Sequence, residues 1–173
     1  MIEIDDLAGR KTLIKASGLK EGRILDIGMG NCGCMSFFLA NRGFDVIGID
    51  RSPNAVHESK KDAEKEKFKG TFEAKLANAE NLPFEDGEFD AVFAYHSIHH
   101  IDNMEGAIDE MFRVCKQGGF ILIAELHEKG LKEYEHKYDS GELLKKIEKF
   151  LSKYTKSIQK VKTKYNIMFI CRK

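Results

Sequence analysis

The chain has 173 residues, 42% hydrophobic and 32% charged, with 28 basic and 28 acidic side chains in balance. A chain of this length and make-up can bury a core of its own, which excludes a disordered tail, a disulfide scaffold and a membrane-spanning protein. No apolar run reaches the roughly 18 residues of a transmembrane helix, and the opening MIEIDDLAGRK carries acids without a continuous apolar stretch. Cytoplasmic residence and a single domain are therefore expected.

In chain order, residues 1–21 are expected to form a helical cover, with a helix over 5–17 from which Arg10 or Lys11 could reach an acidic ligand group. Residues 23–27 (RILDI), 45–49 (DVIGI), 91–95 (AVFAY) and 120–124 (FILIA) are short and rich in β-branched and aromatic residues, the pattern of buried parallel strands. Residues 34–42, 53–68 and 104–114 between them carry apolar positions three and four apart, and Pro53 suits a first helical turn. Alternation over 72–76 fits an edge strand. A core over 22–126 thus reads as alternating β and α units around a parallel sheet. Residues 127–173 read as a helix over 142–151 followed by strands at 157–161 and 166–171, an antiparallel finish. Gly118 and Gly119 predict a turn with positive φ, and Leu82-Pro83-Phe84 a rigid loop.

The chemistry concentrates at the end of the first strand, in LDIGMGNCG over 25–33. Glycines at a strand-to-helix turn let a ligand lie against the backbone, facing the amides of the next helix. Asp50 closes the second strand twenty residues after Gly30, where a carboxylate can accept both hydroxyl hydrogens of a ribose. Nicotinamide dinucleotides and S-adenosylmethionine both satisfy this pattern. Asp26 separates them: a carboxylate there repels a pyrophosphate but attracts the ammonium and sulfonium of the methyl donor. A local cap of the glycine loop is the plainer role for the same side chain.

At this point the chain resembles class I S-adenosylmethionine-dependent methyltransferases, and among them the ubiquinone and menaquinone biosynthesis methyltransferases. The motifs LDIGMGNCG, VIGIDRS, NAENLPFEDGEFDAVFAYHSIHHI and RVCKQGGFILIAEL stand in the family's order, over about residues 22–126. The resemblance implies a Rossmann-like α/β fold with a seven-stranded sheet of order 3-2-1-4-5-7-6, strand 7 antiparallel, and helices on both faces. It implies that Asp26, Gly28 and Gly30 surround the methionine end of S-adenosylmethionine, with Met29, Asn31, Cys32 and Gly33 of the same loop among the cofactor-binding residues. It further implies Asp50 on the ribose, Arg51 and Ser52 flanking the adenine, Asn78 and Ala79 along the adenine edge with Glu80 also cofactor-binding, and Tyr95 and His96 closing over the methionine portion. Two departures stand out: Cys32 occupies the loop's usual third glycine position, and Asn78 replaces a common aspartate, keeping a carbonyl acceptor in a neutral group.

His96, His99 and His100 form HxxHH after the fourth strand. Metal binding, an acceptor base and plain structure are all readings of this pattern; His96 and His100 are the candidate catalytic or orienting groups, and no metal is expected. His127 and Glu128 are either acceptor-pocket residues or surface loop. Cys32, Cys34, Cys115 and Cys171 are read as buried or site-lining thiols. Residues 129–173 hold thirteen Lys and Arg against five Asp and Glu; a solvated lysine face is the expectation, with an RNA-directed methyltransferase as the alternative. An NAD(P)-binding oxidoreductase is the other alternative, as is a cofactor-sensing module without turnover. The expected activity is methyl transfer to a small-molecule acceptor, in a small open pocket that a second subunit could complete, as in a homodimer, with no membrane partner.

Overall fold

A computed structural model describes residues 6–173. The elements run α1 (Leu7–Ser17), β1 (Arg23–Ile27), α2 (Cys34–Ala40), β2 (Asp45–Asp50), α3 (Pro53–Ala63), β3 (Thr71–Leu76), β4 (Phe89–Tyr95), a 3-10 turn (Ile98–His100), α4 (Met104–Val114), β5 (Cys115–Leu126), α5 (Glu128–Glu133), α6 (Ser140–Leu151), β6 (Ile158–Lys162) and β7 (Asn166–Arg172). The sheet order is β3-β2-β1-β4-β5-β7-β6. β1 to β5 pair in parallel, and β7 runs antiparallel between β5 and β6.

Period-two alternation divides the strand side chains between two apolar layers. Leu25, Ile27, Ile47, Ile49, Val92, Ala94, Ile121 and Ile123 face the layer closed by α4 and α6, through Ile108, Met111, Phe112, Ile147 and Leu151. Ile24, Val46, Ala91, Phe93, Leu122 and Ala124 face the other layer, closed by Leu13 of α1 and Met35, Phe38 and Leu39 of α2. Burying both faces explains why these strands read as continuous apolar runs. Asp26 sits among them on the α1/α2 face, the next-to-last residue of β1 and its one buried charge.

Several boundaries differ from the sequence expectation. The helix expected over 53–68 ends at Ala63, where the run EKEK offers no apolar stripe, and Phe68 instead packs against Phe37 and Phe72. The helix expected over 34–42 ends at Ala40, and β5 extends two residues beyond 124 to Leu126. At the expected turn only Gly118 has positive φ, at 76°; Gly119 is required by the close approach of Asp90 O, 2.7 Å from where a Cβ would stand. The short α5 has no strong sequence signal, since its six residues EKGLKE contain a glycine and a single large apolar side chain. Asp5, the first residue of the expected N-terminal helix, and the rest of residues 1–5 of the expected cover lie outside the described residues. From Asp6 the helix is defined: the Asp6 carboxylate accepts from Gly9 N at 2.9 Å as N-cap, and Gly18 closes the helix in a left-handed conformation.

Candidate active site

A cavity of about 670 Å³ opens at the carboxyl ends of β1, β2 and β4, the location a doubly wound sheet favours for ligands. Its wall gathers Asp26, Gly28, Met29, Gly30, Asn31, Cys32, Asp50, Arg51, Ser52, Asn78, Ala79, Glu80, Tyr95, His96 and His100. Gly33 is the exception among the expected residues. It stands behind the wall as the left-handed N-cap of α2, with Phe37 packed 3.0 Å from its notional Cβ.

The loop's shape follows from local constraints. Gly28 has φ +71°, and a Cβ there would stand 2.5 Å from Ser97 Cβ, so only glycine lets β1 turn beneath the 3-10 segment. Gly28 and Met29 both donate to Ile49 O, at 2.9 and 3.0 Å, which ties the loop to β2. Asp50 braces it from the other side, accepting from Gly30 N at 3.0 Å and Ser52 N at 2.9 Å. Ser59 Oγ on α3 donates to Gly30 O at 2.9 Å. The positive-φ turn at Gly33 also brings Cys32 and Cys34 together, and they form a disulfide with Cα atoms 5.1 Å apart. This corrects the expectation of thiols at those two positions; Cys115 and Cys171 are free and buried.

Asp26 is 1% exposed. Ser36 Oγ donates to its Oδ2 at 2.6 Å. Burial pushes its carboxyl up to about 6, against the opposing pull of Ser36 and of the Arg10 guanidinium. Arg10, buried on α1, reaches the same wall and donates from Nη1 to Cys34 O at 3.2 Å. Lys11 is exposed and takes no part in the cavity wall. Asn78 spends one lone pair of Oδ1 locally, accepting from Glu80 N at 3.0 Å, while Glu80 Oε1 accepts from Asn103 N at 3.2 Å. The exposed Arg51 guanidinium pairs with Asp102 at 3.5 Å.

The three histidines diverge. His96 Nε2 lies 2.6 Å from Asn166 Oδ1, whereas His99 Nδ1 lies 2.9 Å from Glu125 Oε2. The His100 ring lies tilted against that of His99, centroids 4.0 Å apart, and His100 lines the cavity. Among the described residues no group of three or more His, Cys, Asp or Glu side chains is disposed to hold a metal ion. Burial lowers the pKa of both His96 and His100. Glu125, fully buried at the end of β5, also accepts from Ile98 N at 2.9 Å and from Tyr138 Oη at 3.1 Å. That side chain anchors the 3-10 turn, a role the sequence signalled only as an acid inside an apolar strand. His136, between α5 and α6, joins the wall and had no motif to reveal it. His127 and Glu128 do not reach the cavity: His127 caps α5 and its Nε2 lies 3.3 Å from Thr163 O, and Glu128 pairs with Lys132. In the basic third, Lys132, Lys146, Lys153 and Lys160 each pair with a glutamate. Among the described residues no helix is long and apolar enough to cross a membrane.

A family model described as a methyltransferase domain matches residues 25–123. An uncharacterized protein of Mycobacterium tuberculosis is 36% identical over 110 residues, covering 63% of this chain and 39% of that protein. A ubiquinone/menaquinone biosynthesis C-methyltransferase of a Geobacter species is 30% identical over 124 residues, covering 69% of this chain and 52% of that protein. The solved structure of a SAM dependent methyltransferase from Aquifex aeolicus superposes with a TM-score of 0.73 at 22% identity, over 93% of this chain and 87% of that one. The chain thus spans about half, or less, of the length of these two curated relatives.

Proposed function

This chain belongs to the class I S-adenosylmethionine-dependent methyltransferases, and on that premise we propose that it transfers the methyl group of S-adenosylmethionine to a small-molecule acceptor. The observation that carries the reading is the buried Asp26 carboxylate beneath an open glycine loop, 1% exposed and facing the same cavity as Asp50. A buried carboxylate with a raised pKa is short of a cation, and the ammonium and sulfonium of S-adenosylmethionine supply positive charge of that kind. A pyrophosphate in its place would add repulsion. Bound S-adenosylmethionine supplies an activated, electrophilic methyl group. The chain's own task is to hold, orient and exclude water.

In this assignment Asp26, Gly28, Met29, Gly30, Asn31 and Cys32 hold the amino-acid end, and Arg10 receives its carboxylate. Asp50 accepts from the ribose hydroxyls, exchanging the Gly30 and Ser52 amides for them in part. Arg51, Ser52, Asn78, Ala79 and Glu80 border the adenine. Tyr95, His96, His100 and His136 lie toward the acceptor. The relative named for ubiquinone/menaquinone biosynthesis puts quinone-type compounds first on an acceptor panel. Isothermal titration with S-adenosylmethionine and S-adenosylhomocysteine, with NAD and NADP as controls, tests the reading: micromolar binding of the first pair supports it, and a response to the dinucleotides alone overturns it.

A further inference from the structure

His96 has φ +54°, a strained left-handed conformation that non-glycine residues rarely adopt. Such strain persists only where surroundings hold it. Here His96 N donates to Ala124 O at 2.9 Å, and the ring meets Asn166, the fully buried first residue of β7.

The polarity of that contact is fixed from a distance. Asn166 Nδ2 donates to the carboxylate of Asp6, the N-cap of α1, which also accepts from Tyr95 Oη at 2.8 Å. Asp6 Oδ1 accepts from Gly9 N and its Oδ2 from Tyr95 Oη, so both carboxylate oxygens stand as acceptors. The amide NH2 of Asn166 therefore faces Asp6 and its carbonyl faces His96. A carbonyl cannot donate, so His96 Nε2 must carry the proton. In the neutral ring that leaves the lone pair on Nδ1. Among the described residues Nδ1 has no hydrogen-bond partner and is not one of the sealed, unsatisfied polar atoms, and the ring lines the cavity.

We propose that Asp6 and Asn166 are positioning residues that lock His96 as its Nε2–H tautomer and present Nδ1 to the acceptor as a base, so that the acceptor carries a dissociable hydroxyl. This rests on the methyl-transfer reading. His96 Nδ1 takes the hydroxyl proton, the freed oxygen pair forms the bond to the methyl carbon, and that carbon's bond to sulfur breaks with its electrons remaining on sulfur. The imidazolium then holds a proton on each nitrogen, its charge opposed by Asp6 through the Asn166 amide, and later returns one proton to water. The groups facing the ring are Asp6 beside α1, Tyr95 on β4, His99 on the 3-10 turn and Glu125 on β5. Burial outweighs the acids among them and keeps the ring neutral near neutral pH, the state in which it can accept a proton.

The test is long-range ¹H–¹⁵N correlation NMR of the ¹⁵N-labelled full chain, with His96→Gln to assign the ring. The inference expects a single Nε2–H tautomer in the parent, a mixture in Asn166→Leu, and restored Nε2–H in Asn166→Asp, whose carboxylic acid can donate its proton to Asp6 and still accept from His96. In the presence of S-adenosylhomocysteine, catechol should shift the Nδ1 resonance and its dimethyl ether should not. If any panel phenol turns over, His96→Gln, which removes the base, should lower kcat by roughly 10²- to 10⁴-fold, and Asn166→Leu by a smaller factor set by its tautomer mixture while leaving S-adenosylhomocysteine affinity unchanged. An Nδ1–H tautomer in the parent, or the same tautomer in a folded Asn166→Leu, overturns the inference. Should Asn166→Leu fail to fold, Asn166→Asp and the catechol comparison still decide it. Absence of S-adenosylhomocysteine binding by the parent sinks the donor reading instead, and the tautomer result stands apart from it.

Discussion

Asp26 is held in a state that costs the free protein stability. Its folded pKa, about 6, lies above the ordinary 3.8, so the folded chain binds the proton more tightly than the unfolded one. Stability is therefore highest below pH 4 as far as this group is concerned and falls as pH rises through 6, by roughly 3 kcal/mol in all. A ligand ammonium reverses the preference, so S-adenosylhomocysteine should bind more tightly as pH climbs through 6, read by titration calorimetry across that range. Asp26→Asn should raise Tm at pH 8, by an amount equivalent to about 1 to 3 kcal/mol, and should weaken S-adenosylhomocysteine and flatten its pH dependence. Asp50→Ala should weaken the same ligand by roughly 1.5 to 3 kcal/mol, and unchanged affinity would remove Asp50 from the ribose. Both acids were legible in the sequence because each is a charge at the end of an apolar strand. Asn166 and His136 were not, since a polar residue in a polar stretch carries no local signal and only the sheet order brings Asn166 beside His96.

Among elements, the glycine loop is tightly constrained at its first glycine. Gly28→Ala would place a methyl group within 2.5 Å of Ser97 Cβ at φ +71°, and we expect a loss of about 2 to 4 kcal/mol in denaturant unfolding. Gly30, with nothing within 4 Å of a notional Cβ, should lose less stability and more cofactor affinity. The loop's disulfide is checked by alkylation. Unfolded protein should take up two groups without reductant and four after reduction, while the native protein reacts slowly because burial pushes Cys115 to about 11 and Cys171 to about 12. Strand and helix identities were readable from periodicity, including α4, whose bounds the pattern gives at both ends. Ends decided by a remote partner were not: α3 stops where Phe68 leaves for Phe37 and Phe72, and α5 is held by packing that six residues cannot advertise.

For the whole molecule, alternation implied βα units around a parallel sheet and the family resemblance implied its strand order, with which the observed order agrees. The charge imbalance between the two parts of the chain was equally visible, but its meaning depends on pairing that only the fold supplies. With several C-terminal lysines bound to glutamates, we expect no retention on RNA at physiological salt in a filter-binding assay. Retention that falls steeply with salt would revive the nucleic-acid alternative.

The bond between Asp6 and Asn166 joins residues 160 positions apart. On the ribosome, α1 leaves the exit tunnel long before β7 is made, while β1 to β4 can pair as they emerge. The acceptor side of the cavity consequently has no means of assembling until almost all of the described chain has been translated. A nascent chain stalled before residue 166 would hold the glycine loop without Asn166 to orient His96.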